Sequence, residues 1–372
     1  MPPAPARDHA IPIPLARIEA LLAETDQVQA GSGSGTVLRL LKAVLRLEAI
    51  GRGDRLKSLD AGDPALVGRL EELLARANYR PIPPAELEAA LRSEALSAVR
   101  IHVDLGAYDV LQVHARGRAR RTETVRSMWG LRKRRVTFDV LERVFVASRL
   151  RGEPGLTMKL FRNIPLPDLE MILPNSAVRM RRLDQAVIVV PALVSVGMAA
   201  SKVLLSLAAI WAMVRFWAGL SEERPEAAEG WGLVAAGSLT LLGITMGAWT
   251  KYQKRRLQYA NTHARLLYFQ TLDSEAGAFL RVLDEAFEEE AKEALLAYAS
   301  LAAEGPAGAA ALDARIEGWL RDRAGVDADF EVEDALAKLE RLGAARRSGD
   351  RWEAEDPAAA AARLRSAWDA GA

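Results

Sequence analysis

Hydrophobic positions recur at helical spacing along most of the chain, and the places where that spacing breaks mark its organisation. Residues 14–29 and 36–50 read as amphipathic helices on either side of Gly31-Ser32-Gly33-Ser34-Gly35. That run is a flexible connector, since no lysine follows it in Walker spacing and no strand precedes it. In the second helix Val37, Leu38, Leu41, Val44, Leu45 and Ile50 form an apolar stripe beside Arg39, Lys42 and Arg46. Such a helix covers a core or lies on a membrane surface. A third helix is expected over residues 64–78, and Pro84 opens a fourth through Ala89 and Leu91.

From Ala98 the period changes to alternation. Val99, Ile101 and Val103, then Val110, Leu111 and Val113, read as strands around a turn at Leu105–Asp109. Val136, Phe138, Val140, Val144, Val146 and Leu150, and finally Leu156, Met158 and Leu160, continue the pattern. A small, largely antiparallel sheet covered by the preceding helices gives an α+β domain over residues 1–180.

Two stretches then lack charge. Residues 186–214 are apolar or small except for Lys202, and Trp231–Thr250 contains no charged residue. Each reaches the ~20 residues a transmembrane helix needs. The expectation is a transmembrane hairpin within 186–250, with spans at 196–217 and 231–250 and a loop at 221–230. That loop carries four acidic residues and one arginine. Arg179, Arg181 and Arg182 precede the hairpin, and Lys251, Lys254, Arg255 and Arg256 follow it. The positive-inside bias would place both termini on the cytoplasmic side, at the inner membrane if the protein is bacterial. Trp211, Phe216, Trp217, Trp231, Trp249 and Tyr252 stand where interfacial aromatic belts would. Lys202 reads as a snorkelling stem or as an intramembrane charge with a partner. Ala236, Thr240, Gly243 and Gly247 share one helix face, suited to packing within the hairpin or to self-association.

After the hairpin a long helical stretch runs from Leu257 to Leu301, followed by a helix near 309–323 and an extended piece around Phe330. A helix with Val332, Ala335, Leu336, Leu339 and Leu342 on one face comes next, then a tight hairpin over Arg346–Trp352 and a final helix capped by Asp356-Pro357. Helix, helix, helix, wing predicts a winged-helix-like domain over 251–372. The third helix shows Glu331, Glu333, Asp334 and Glu340 against Lys338 and Arg341, which argues against DNA and for a protein partner.

Charge is unevenly placed. The net charge is +1, yet residues 271–372 hold 12 Lys/Arg against 23 Asp/Glu, a net of −11, so the first 270 residues carry +12. The densest run is 116–135, where Arg116, Arg118, Arg120, Arg121, Arg126, Arg132, Lys133, Arg134 and Arg135 face the single Glu123. This patch reads as a solvated face, as a contact for anionic lipid or an acidic partner (the acidic tail of the same chain among them), or as a nucleic-acid surface.

The absence of cysteine excludes disulfides, thiolate metal sites and thiol nucleophiles. The N-terminus shows no apolar stretch of a cleavable secretory signal. His9, His102, His114 and His263 are scattered, although His102 and His114 fall on neighbouring predicted strands. Glu288, Glu289, Glu290 and Glu293 read as a solvated helix face rather than a metal site. No catalytic motif, cofactor fingerprint, metal-ligand spacing or small-molecule substrate signature is present.

At Ala77-Asn78-Tyr79, at Arg121–Val125 and at Lys159–Pro165 followed by Asp168-Leu169-Glu170, the chain resembles an uncharacterised membrane family that includes the vertebrate mitochondrial transmembrane protein 143. The likeness runs from about Asp8 to Tyr298. It implies a membrane location and supplies no catalytic residue. The leading expectation is therefore a membrane-anchored, non-enzymatic scaffold or adaptor, with membrane lipids and a protein partner or a second copy as contacts. A protein that binds or handles anionic lipid is the second reading. A membrane-tethered enzyme of unknown substrate, its site assembled from distant residues, is the third.

Overall fold

The computed structural model describes residues 9–24, 33–60, 62–92, 100–102, 104–126, 133–174, 177–179, 204–205, 207–220 and 227–371. The chain forms two units, one built from residues 1–93, 105–174 and 270–372, the other from 94–104 and 175–269.

In the first unit the organising element is α7 (Ala276–Glu304), buried for most of its length, with apolar and ionisable residues alike among those its neighbours cover. Around it pack α1 (Leu15–Ala23), α2 (Gly33–Lys57), α3 (Pro64–Arg76), α8 (Ala309–Trp319) and α9 (Val332–Arg341). The apolar stripe of α2 therefore covers a core. Val37, Leu41, Val44 and Leu45 are buried beside Ala291, Leu295 and Tyr298 of α7 and Leu364 of α10 (Pro357–Gly371). Gly53 brings α2 and α7 into close approach, since a Cβ there would stand 2.5 Å from Leu283 Cδ2. Asp63 caps α3 by accepting from the Ala65 amide at 2.8 Å, and Asp356 caps α10 by accepting from Ala358 and Ala359.

The sheet of this unit has the order β1-β3-β4-β5-β7 and is antiparallel throughout. Its strands are β1 (Arg80–Pro81), β3 (Tyr108–Arg126), β4 (Lys133–Leu150), β5 (Thr157–Pro165) and β7 (Thr271–Ser274). β4 is central, and Val144, Phe145, Val146 and Ala147 are all buried. Phe145 and Ala147 join the cluster with Leu70, Leu74 and Val282, while the 3-10 helix Leu166–Ile172 also packs on this strand. A strand covered on both faces loses its alternation. β3 and β4 continue beyond this core as a two-stranded ribbon, paired through to Arg126 and Lys133.

The long helix expected from Leu257 to Leu301 is interrupted. α6 (Ala227–Gln270) ends, β7 pairs with the free edge of β5, and Glu275 turns the chain with φ 51° into α7. An unpaired strand edge offers backbone hydrogen bonds that outweigh helical continuity over four residues. At the C-terminal end the order α7, α8, α9, then the hairpin of β8 (Ala345–Ser348) and β9 (Arg351–Ala354), is observed. Ala307, between α7 and α8, adds an antiparallel bridge to Trp352.

The second unit contains the small pair of β2 (Arg100–His102) and β6 (Ala177–Arg179), α5 (207–217) and the bulk of α6. Here the expectation of a transmembrane hairpin is corrected. Among the described residues no helix is long and apolar enough to cross a membrane. Lys202 and much of the first expected span lie outside the described residues. The second expected span is part of α6, which runs on without a break through Lys251, Lys254, Arg255 and Arg256. Freedom from charge is not the same as apolarity, since eight of the 20 positions in Trp231–Thr250 are Gly, Ser or Thr. The inferences that rested on the spans are corrected with them: membrane anchoring, cytoplasmic placement of both termini, membrane lipids as partners, the lipid-handling alternative and the membrane tether of the enzyme alternative. Nothing lies within 4 Å of a Cβ built at Gly243 or Gly247, and the Thr240 hydroxyl donates to the Ala236 carbonyl of its own helix at 2.7 Å. The stripe of small residues is thus open rather than packed among the described residues.

Candidate functional site

α7 carries a row of ionisable residues on the face that its neighbours cover. Glu285, Glu289, Glu290, Lys292 and Glu293 are buried, and of the acidic residues expected to be solvated only Glu288 is exposed. Removing such groups from water is costly unless each finds a partner. Each does, and the partners come from six different parts of the chain.

At one end Tyr79 donates its hydroxyl to Glu285 Oε2 at 2.6 Å, and Arg143 and Arg116 also pair with this carboxylate. Arg116 donates to Glu289 Oε1 at 2.5 Å, and Lys292 donates to the same oxygen at 2.6 Å. The other oxygen, Oε2, accepts from the Ile11 amide at 3.1 Å, and the Ile11 carbonyl accepts from Lys292 at 2.9 Å. Glu290 is shared between Arg52 of α2 and Arg76 of α3, the latter at 2.7 Å. Glu293 accepts from Lys338 of α9 at 2.8 Å, and Lys338 also pairs with Asp334 at 2.6 Å.

Burial pushes the Tyr79 phenol up to about 12, although Arg143, Arg116 and Arg281 pull the other way. The phenol therefore stays protonated, and Glu285 is occupied by two guanidinium groups and a hydroxyl. A cleft of about 430 Å³ opens here, lined by Arg143, Asp273, Arg281, Asp284, Glu285 and Glu288. Its charged groups are largely committed to one another: Arg281 lies 3.6 Å from Asp273 and 3.9 Å from Glu285, and Asp284 takes Arg46 at 2.9 Å. Among the described residues the lining carboxylates form a structural network, and Glu288 alone of them has no ion pair. His114 is buried, its pKa lowered by that burial, and neither ring nitrogen has a hydrogen-bond partner among the described residues. His102 does not share its sheet, since β2 pairs with β6. Among the described residues no three His, Asp or Glu side chains are grouped so as to hold a metal ion.

The basic run 116–135 is not a single surface. Arg116 faces inward to Glu285 and Glu289, so the acidic C-terminal part of the chain does meet this patch at its inner end. Arg118 is held by Glu86 at 2.8 Å and by Asp139 at 3.2 Å, and Arg120 by Asp139 at 3.2 Å. Arg121 and Arg135 are exposed. Lys133 and Arg134 lie on the ribbon opposite Arg126 and Val125, and Arg132 falls outside the described residues. Gly117, with φ 74°, marks the point at which β3 leaves the core.

The C-terminal face is where unbalanced charge remains. Of the two cations on α9, Lys338 is buried with Glu293 and Asp334, and Arg341 grips Glu48 of α2 through two hydrogen bonds of 2.5 and 3.0 Å. Glu333 and Glu340 are exposed. Beside them a cleft of about 500 Å³ is lined by His9, Asp313, Phe330, Glu331, Glu333 and Asp334, among others. Burial, reinforced by Glu317, Asp329 and Glu333, raises the pKa of Asp313.

Sequence reasoning missed the row on α7, although the signal was present. Ala286, Phe287 and Ala291 interrupt the glutamates, and Ala294, Leu295 and Leu296 follow them directly, so apolar residues flank the charged run on both sides.

No solved structure matches the chain. Residues 136–277 match the model of a family described as a protein of unknown function (DUF3754). Lys159–Glu170 lies inside that match, so the resemblance carried by this motif is one to the DUF3754 family.

Proposed function

We propose that this chain is a non-enzymatic binding protein whose C-terminal winged-helix-like part takes a basic protein segment. The observation that carries this reading is the state of α9. Both of its cations are consumed by internal ion pairs, while Glu333 and Glu340 face solvent beside the acidic cleft. A helix that reads DNA brings cations to phosphates and releases counterions, and this face would bring carboxylates instead. The same field attracts lysine- and arginine-rich segments, with a salt dependence typical of exposed charge.

Fluorescence anisotropy of the full chain with a labelled Lys/Arg-rich peptide and with a labelled DNA duplex tests this. The peptide should bind and weaken as salt rises. Glu331→Gln combined with Glu333→Gln should reduce its affinity about tenfold, a size ordinary for two interfacial charges. The duplex should not bind at 150 mM salt. Salt-sensitive DNA binding, or peptide binding indifferent to the two substitutions, overturns the proposal.

A further inference from the structure

We infer that the arginine-lined groove between α2 and α3 is a binding site for a small dianion of the phosphate class. The groove has a volume of about 260 Å³ and is lined by Arg52, Arg55, Leu56, Arg69, Glu72, Leu73 and Arg76. Arg52, Arg55 and Leu56 lie on successive turns of α2, and Arg69, Glu72, Leu73 and Arg76 follow the i, i+3, i+4, i+7 spacing of a single face of α3. The two leucines are buried and form an apolar floor, so the guanidinium groups are the walls.

Four like charges around one groove repel each other unless something neutralises them. Glu290, beneath the groove, takes Arg52 and Arg76. Arg55 and Arg69 are exposed and have no ion pair or hydrogen bond from their side chains among the described residues. Glu72 is also exposed and lies within reach of Arg69 and Arg76 by helical spacing, yet it pairs with neither among the described residues. Four arginines line the groove with one carboxylate, Glu72, while Arg52 and Arg76 share Glu290 and Arg52 also lies 4.0 Å from Glu48, which Arg341 grips, so Arg55 and Arg69 remain the unneutralised pair.

Glu290 does not satisfy the whole of the Arg52 guanidinium. Arg52 leaves its buried Nε without a hydrogen-bond partner among the described residues. Attraction of cations to the carboxyl ends of helices accounts for Arg55 and Arg76, which sit in last turns, but not for Arg52 or for Arg69 in the middle of α3. Guanidinium groups grip phosphate oxygens in pairs, and two of the four here are already positioned by a shared buried carboxylate. The site lies apart from the acidic C-terminal cleft and does not depend on the function proposed for it.

Isothermal titration calorimetry of the full chain with pyrophosphate at constant ionic strength is the test. One saturable site is expected, and the Arg55→Gln/Arg69→Gln variant should bind at least tenfold more weakly. Both residues are exposed and have no ion pair among the described residues, so the variant should melt at the wild-type temperature. Pyrophosphate should raise the melting temperature of the wild type and not that of the variant. The Arg346→Gln/Arg347→Gln variant, altered at the C-terminal hairpin, should bind as the wild type does. Parallel titrations with inorganic phosphate and with glycerol 3-phosphate separate a free anion from a phosphomonoester, and saturable binding of either at this groove supports the site. Heat that never saturates, or equal affinity in the Arg55/Arg69 variant, overturns the inference.

Discussion

Glu289→Ala should lower the unfolding free energy of the full chain by about 3–5 kcal/mol, the usual cost of removing one partner from a buried charge pair. Glu289 has no solvent exposure, and its two oxygens serve three groups: Arg116, Lys292 and the Ile11 amide. With the carboxylate gone, Lys292 remains buried with only the Ile11 carbonyl to receive its three protons, and the Ile11 amide loses its acceptor. Lys292→Met should cost less, because Arg116 still neutralises Glu289. Combining Glu289→Leu with Lys292→Met should recover part of the loss, since Lys292 is no longer stranded and Arg116 keeps Glu285 at 3.6 Å, although the Ile11 amide still lacks its acceptor. Urea denaturation of the four proteins reads this directly. A Glu289→Ala midpoint indistinguishable from wild type would mean that water reaches the network and that its charges are not held as the distances suggest.

The same network shows why sequence reading went only part of the way. Local signals were legible. Asp356-Pro357 announces a helix start because its cap acts on amides two and three residues away. The Ala335, Leu336 and Leu339 face of α9 and the Arg346–Trp352 hairpin follow from periodicity and a single tight turn. By contrast, Glu289 finds Arg116 at a separation of 173 residues and Ile11 at 278. No window along the chain contains both partners, so the glutamates looked solvated. Arg116 was misplaced for the mirror-image reason. It belongs by sequence to a basic run, but β3 enters the core on the near side of Gly117 and carries it inward.

The transmembrane expectation failed on a different point. It rested on length, freedom from charge, aromatic belts and basic flanks, yet eight of the 20 positions in Trp231–Thr250 are Gly, Ser or Thr, and among the described residues no helix is long and apolar enough to cross a membrane. The family motif fared better because its residues hold backbone geometry. Asn78 and Asn163 both take positive φ, which asparagine tolerates, and Tyr79 is the buried donor to Glu285. Those roles are structural, and the membrane location that the resemblance implied does not follow from them.

The stability of the chain relative to its Glu293→Gln variant should fall as pH rises from 5 to 7 and then level off. Burial pushes the Glu293 carboxyl up to about 7 from an ordinary 4.5, against the attraction of Lys338 and with Asp334 and Glu289 adding to the rise. Burial would depress Lys338, but Glu293, Asp334 and Glu290 more than offset it and hold its pKa above the ordinary lysine value. The lysine therefore stays charged across this range, held by Asp334 at 2.6 Å, and the carboxyl is the group that titrates. Between about 4.5 and 7 the folded state keeps a proton that the unfolded chain has released. Stability must then decline with pH across that window, by up to roughly 3 kcal/mol at ~1.4 kcal/mol per unit, and be flat above it. Glutamine cannot titrate, so subtracting the variant removes every other ionisable group common to both proteins. Urea midpoints for the pair at half-unit steps from pH 5 to 9 give the curve. A difference that rises with pH would mean that Lys338 outweighs burial and holds Glu293 below its ordinary value.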